Sequence, residues 1–176
     1  MYINFWYPVC LSSEINEGPI KATILGLDFV AYRDHEETAH CLSNVCVHRG
    51  GSLASGICHD DGTIACPYHG WRFDGSGKCQ KIPSLGPDSK IPKRAKVDSY
   101  PVQEKYGIVF AFLGDQSEKE RPELYEIEEF NTEGWRSNDP KIIDIDYNYE
   151  RSIENGLDPA HNEFVHPTHG FSGARN

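Results

Sequence analysis

Apolar and polar side chains alternate at residues 20–25 and again at 27–33, the period-two rhythm of half-buried strands, and the two runs meet around Gly26-Leu27-Asp28 as a hairpin. Residues 38–45 read as a third strand, residues 62–65 as a short one, and residues 71–74 as another. That last strand is closed by the turn Gly75-Ser76-Gly77-Lys78, with Cys79 opening the return strand. Strands resume at 97–102 and 108–113, joined by Glu104-Lys105-Tyr106-Gly107. The aromatic run Phe5-Trp6-Tyr7-Pro8-Val9 opens the fold and packs on a sheet, and the Pro-, Gly- and Lys-rich residues 81–93 form a long surface loop. Residues 5–114 are therefore short strands punctuated by turns, an all-β domain.

The pattern then changes. Residues 115–141 are dominated by Glu and interrupted by Pro122, a solvated linker with one short helix at most. Residues 142–147 alternate like a strand and lead into a helical stretch over 155–166. Asp158 before Pro159 is good capping chemistry there, and Pro167 ends the helix near His166.

Composition narrows the class. At 176 residues the chain can bury a real core, and a formal charge of −10 argues against a nucleic-acid or anionic-membrane surface. No apolar run reaches membrane-spanning length, and the start lacks a basic segment followed by an apolar one, so the expectation is a cytoplasmic protein. Cys10, Cys41, Cys58 and Cys79 show no framework spacing and read as buried thiols in a reducing compartment. His35, His40 and His59 lack paired spacing and read as exposed or locally bonded.

The chemistry lies in two loops. Cys46-Val47-His48-Arg49-Gly50-Gly51 and Cys66-Pro67-Tyr68-His69-Gly70-Trp71 each carry one thiol and one imidazole. Two thiolates and two neutral imidazoles suit a closed zinc site or an iron–sulfur cluster in which two His replace two Cys on one iron. Zinc fingers usually pair Cys with Cys and His with His, which favours the cluster. Gly50, Gly51 and Gly70 let backbone N–H groups approach bridging sulfides.

The two motifs resemble the Rieske domain of the Rieske non-haem iron oxygenases (aromatic-ring-hydroxylating, vanillate O-demethylase and pheophorbide a oxygenase-like α-subunits). The resemblance implies an all-β Rieske fold: a β-sandwich with a cluster-binding subdomain. It also implies a [2Fe–2S] cluster held by Cys46 and Cys66 on one iron and by His48 and His69 on the other. Respiratory Rieske proteins carry two further, cross-linked Cys, where this sequence has Gly51 and Tyr68. They also carry hydroxyl residues where this sequence has Trp71 and Phe73, which implies a potential at the low end of the roughly −150 to +300 mV Rieske range.

By the same resemblance, residues 142–176 are the mixed strand-and-helix start of a truncated α+β catalytic domain. His161 and His166 would be two ligands of a mononuclear Fe(II), Asp158 the carboxylate that links this site to a Rieske His of a neighbouring subunit, and Asn155 an amide close to the iron. His161 and His166 are about 140° apart on a regular helix, so a terminal turn is needed to bring them to one metal. The third ligand, an Asp, would come from later in such a domain, so the site is incomplete here and the chain reads as the N-terminal portion of a longer α-subunit. The implied activity is that of a terminal oxygenase, a mono- or dioxygenase that hydroxylates or demethylates a small organic substrate, aromatic or not, with O2. NAD(P)H would act through a ferredoxin or flavin reductase, and the subunits would form a head-to-tail homotrimer. The competing expectation is a Rieske ferredoxin-like electron carrier.

Overall fold

The computed structural model describes residues 3–86 and 89–166 of the chain. Contacts divide it into two compact units, residues 1–140 and 141–176.

Among its described residues the first unit holds eleven strands in three antiparallel sheets. One sheet has the order β1 (Phe5–Leu11), β11 (Ile108–Leu113), β10 (Val102–Lys105). A second runs β2 (Ile20–Ile24), β3 (Leu27–Arg33), β4 (Ala39–Ser43), β9 (Ser99–Tyr100). The third, carrying the motif loops, runs β5 (Ile57–Cys58), β6 (Ile64–Ala65), β7 (Arg72–Phe73), β8 (Cys79–Lys81).

Strand β3 explains how three sheets share one unit. Its residues Phe29, Val30, Ala31 and Tyr32 are all buried, the mark of a strand covered on both faces. Because successive side chains alternate, Phe29 and Ala31 join cores containing Cys10, Val109, Ala111 and Leu113, while Val30 and Tyr32 join the core of the motif-bearing sheet. That second core contains Leu42, Leu53, Ile64 and Phe73 together with Cys46 and Cys66. The two motif loops are thus rooted in the hydrophobic centre of the unit.

Several expectations move. The first hairpin turns at Leu25-Gly26, both with positive φ, rather than at Gly26-Leu27-Asp28, and Ile24 pairs with Leu27. The expected strand at 97–102 is cut by Pro101: β9 joins one sheet and β10 the other, since Pro has no N–H for a continuous ladder. Residues 115–140 are mostly exposed and hold a single-turn helix at Glu118–Glu120, yet they are anchored to the sheets. Trp6 Nε1 donates to Pro122 O at 2.7 Å, Tyr106 Oη donates to Tyr125 O at 3.0 Å, and the Tyr106 and Phe130 rings meet edge to face at 4.8 Å.

In the second unit the expected strand at 142–147 is absent. Ile142, Ile143 and Ile145 are exposed, with no strand partner for the stretch among the described residues, and a lone strand leaves its backbone groups unpaired. The expected helix is two: α1 (Tyr149–Leu157) and α2 (His161–Val165). Among the described residues no helix is long and apolar enough to cross a membrane.

Candidate metal centre

The two motif loops have the same backbone design. Cys46 N donates to Gly51 O at 2.9 Å and Gly50 N donates back to Cys46 O at 2.9 Å. In the second loop Cys66 N donates to Trp71 O at 2.8 Å and Gly70 N to Cys66 O at 2.9 Å. Each turn closes on a left-handed residue, Gly50 (φ 71°) and Gly70 (φ 69°), which a side chain would strain. The loops differ in where the imidazole stands, two residues after Cys46 and three after Cys66.

This geometry separates the donors by depth. Cys46 and Cys66 are buried, whereas His48 and His69 lie toward solvent with ring centroids 4.5 Å apart. Burial pushes the Cys46 thiol up, the adjoining Cys66 adds to the shift, and the backbone N–H groups of His48 and Arg49 work against it. A thiol so placed keeps its proton until a metal replaces it. Desolvation, with His69 and then Arg49, holds the His48 imidazole below its ordinary range, in the neutral form that binds metals.

At Gly51, beside the Cys66 sulfur, the first loop carries no side chain. A Cβ on Gly51 would stand 2.9 Å from Cys66 Sγ and 3.3 Å from Tyr68 Cβ, so only Gly leaves the sulfur accessible. Buried sulfurs, outward imidazoles and a cradle kept open by Gly51 fit a two-iron, two-sulfide group with unlike ends.

Sequence reasoning missed the residues that hold this arrangement. Trp71 lies flat on His48 across the loops, at 4.6 Å and 4° between planes, and the Tyr68 ring sits 3.9 Å from that of His69. Buried Asn44 closes the base of the first loop: its Oδ1 accepts from Ala54 N at 2.8 Å and Ser52 Oγ at 3.1 Å. The available signal was an amide two residues before a ligand Cys, at a strand end where Asn commonly replaces a lost ladder bond. Of the other thiols, burial raises Cys10 and Cys41 to about 12 and raises Cys79, as expected for inert core cysteines. Cys58, expected to be buried, is half-buried because β5 lies at the edge of its sheet. His40 is locally bonded, with Nε2 2.7 Å from Asp34 Oδ2.

In the second unit, α1 stops at Asp158, whose Oδ1 accepts from Ala160 N at 3.0 Å in the turn that precedes α2. The extended residue His166 follows α2 and swings its ring to 5.3 Å from that of His161. His161 Nδ1 is buried without a hydrogen-bond partner and lies 3.9 Å from Asp158 Oδ2. Asn155 O accepts from Asp158 N at 3.3 Å, and the Asn155 side chain is exposed. Among the described residues no three His, Cys, Asp or Glu side chains surround one point as ligands of a single ion.

The chain is similar to known proteins over most of its length. The Rieske [2Fe-2S] domain model matches residues 5–101. The chain is 34% identical over 171 residues to Protein TIC 55, chloroplastic, of Arabidopsis thaliana, covering 97% of this chain and 31% of that protein. It is 35% identical over 162 residues to the tert-butanol monooxygenase / tert-amyl alcohol desaturase oxygenase subunit of Aquincola tertiaricarbonis, covering 92% and 34%. Among solved structures, Pseudomonas putida NdmA superposes with a TM-score of 0.77 at 29% identity, over 94% of this chain and 50% of that one. The chain thus spans about a third of the length of these curated relatives. By its motif loops, its three-sheet fold and the match over residues 5–101, the chain belongs to the Rieske [2Fe–2S] domain family.

Proposed function

We propose that this chain is the electron-delivering part of a Rieske-type oxygenase terminal component. Cys46 and Cys66 would hold the buried iron of a [2Fe–2S] cluster, and His48 and His69 the outer one. The observation that carries the reading is the pair of buried sulfurs, that of Cys66 set against Gly51, with both imidazoles on the solvent side. When bound, such a cluster supplies one-electron transfer. The protein's part is to keep Gly51 small beside Cys66, to aim the His48 and Arg49 N–H groups at Cys46, and to brace His48 with Trp71.

The second unit would contribute the start of a mononuclear iron site. His161 and His166 would supply two nitrogens, with Asp158 accepting a proton-mediated contact from the Rieske His of a neighbouring subunit in a trimer and Asn155 close by. The short His161–His166 separation and the unpartnered His161 Nδ1 support this. Electrons from NAD(P)H would arrive through a ferredoxin or flavin reductase, and the whole oxygenase would hydroxylate or demethylate a small organic substrate with O2. Relatives that carry such names, including 3-chlorobenzoate-3,4-dioxygenase and methylxanthine N1-demethylase subunits, support the class.

Anaerobic reconstitution with iron and sulfide tests the reading. The expected product is red, with equal iron and acid-labile sulfide and, once reduced, an EPR signal of average g below the free-electron value. A colourless protein that takes up one zinc would overturn it. Iron beyond the cluster's pair, lost on His161→Ala, supports the mononuclear site; cluster iron alone supports the electron-carrier reading.

A further inference from the structure

The six cysteines are all free thiols, and they are spread over the cores of the first unit. Cys10 and Cys41 lie in the two cores on one side of β3. Cys79 lies in the core on the other side, where its Sγ donates to Lys81 O at 3.4 Å, and Cys58 is half-buried on the edge strand β5. Cys46 and Cys66 are placed differently. Both are buried in one core, their side chains share a hydrogen bond, and the Cys66 sulfur lies against the turn that Cys46 opens, 2.9 Å from where a Gly51 Cβ would stand.

The loops are held in that register by more than the sulfurs. The His48 and His69 rings lie 4.5 Å apart, Trp71 of the second loop stacks on His48 of the first at 4.6 Å, and each turn is closed by its own pair of backbone hydrogen bonds. When no iron engages them, two thiols held in contact are each other's nearest partner for disulfide formation. The reaction then needs only a two-electron oxidant small enough to reach a buried sulfur, and a hydroperoxide such as hydrogen peroxide is one. One sulfur attacks a peroxide oxygen, the O–O bond breaks, and the departing hydroxide takes the thiol proton and leaves as water. The other sulfur attacks the resulting sulfenic acid and displaces a second water. In sum, two thiols and one hydrogen peroxide give one disulfide and two waters.

We propose that Cys46 and Cys66 join in a reversible disulfide when the chain meets a hydroperoxide before its cluster is inserted or after it is lost, and that this bond gates cluster insertion; this rests on the ligand assignment proposed above. The bond withholds both thiolates from iron and from competing zinc. It also stops oxidation at a state that a dithiol reverses, short of the irreversible sulfinic acid. The fold, not chain proximity, selects this pair. In an unfolded chain the shortest loops close most readily, which favours Cys41 with Cys46 and Cys58 with Cys66.

The test uses the metal-free full chain, with its β-sheet content checked by circular dichroism. The chain is treated with a small excess of hydrogen peroxide, alkylated in denaturant and mapped by mass spectrometry. Two of the six thiols should be lost, and the Cys46–Cys66 cross-link should exceed every other pair at least about tenfold. Iron and sulfide uptake should fall at least about tenfold and return on addition of dithiothreitol. In Cys46→Ser the remaining Cys66 should go on to sulfinic acid, which dithiothreitol does not reverse. Cys58→Ser/Cys79→Ser, which removes the other two thiols next to that core, should form the same cross-link as the unaltered chain. Six surviving thiols, a different main pair (Cys10–Cys41, Cys41–Cys46 and Cys58–Cys66 included), or cluster uptake indifferent to the bond would overturn the proposal. A metal-free chain without β-sheet would overturn it too, since nothing would then hold the pair together. Failure of the fully reduced chain to form any cluster would instead overturn the function on which it rests, and would leave the cross-link result standing.

Discussion

Gly50 and Gly51 are neighbours with opposite reasons for lacking a side chain. Gly50 has φ 71° and nothing within 4 Å of a Cβ, so Gly50→Ala strains the backbone but meets no atom. Gly51 needs no left-handed backbone, but its Cβ would stand 2.9 Å from Cys66 Sγ. Gly50→Ala should therefore cost about 1 kcal/mol of folding stability, measured by urea unfolding of the metal-free protein. Gly51→Ala should leave that curve nearly unchanged yet reduce the iron and sulfide retained after reconstitution by half or more. If both variants lose stability and cluster in parallel, the cradle reading fails. Trp71→Leu belongs to the same scale: losing the flat contact on His48 should speed cluster loss, read as the decay of visible absorbance in air. The motif residues themselves were legible because metal donors sit at fixed spacing. Trp71, Tyr68 and Asn44 were not read as parts of the centre, because what matters is where their side chains fall across the loops.

At the scale of elements, Arg33 on β3 joins two sheets. All its donors are used: Nε to Asn16 Oδ1, the Nη atoms to Glu104, and further bonds to Ser12 O and Glu37 O. The guanidinium hydrogen bond holds the Glu104 carboxyl, on β10, below the usual carboxylate range, while burial opposes it. A depressed folded pKa means that the contribution is present above the unfolded glutamate value, about 4.3, and is lost as pH falls through the folded value. Glu104→Gln should thus lower the melting temperature at pH 7, and the gap from the unaltered protein should close as the pH falls below about 4. A gap that widens with acid would show that the pair does not act this way. Arg33→Lys, which cannot reproduce the fork, should cost about 2 kcal/mol at neutral pH. Strand order and this bridge were illegible in the sequence, since alternation tells which face of a strand is buried but not against which strand. Hairpins were legible to within a residue or two, as Leu25-Gly26 and Tyr106-Gly107 with their positive φ values show. The run 142–147 misled because alternation earns a strand only where a partner supplies its hydrogen bonds.

At the scale of the whole molecule, the two units differ in how they treat apolar surface. Residues 1–140 bury Phe29, Val30, Tyr32, Leu42, Leu53, Ile64, Phe73 and Phe112 almost completely. Residues 141–166 leave Ile142, Ile143, Ile145, Tyr149, Ile153, Leu157, Phe164 and Val165 exposed. Tyr149, Ile153 and Leu157 recur at four-residue intervals along α1, a stripe that in a globular protein faces a core. No residue of either helix is buried, so their packing supplies none of the stability that short helices in water need. It follows that a chain ending at Pro140 should unfold with a melting temperature within a few degrees of the longer one and retain its cluster. The longer chain should bind an apolar dye such as ANS strongly and the shorter one weakly, and limited proteolysis should cut first between residues 135 and 148, where the described chain has no helix or strand. Loss of the cluster on removing residues 141–176 would mean that the first unit does not stand alone. Equal dye binding by the two chains would mean that the exposed stripe is covered in solution.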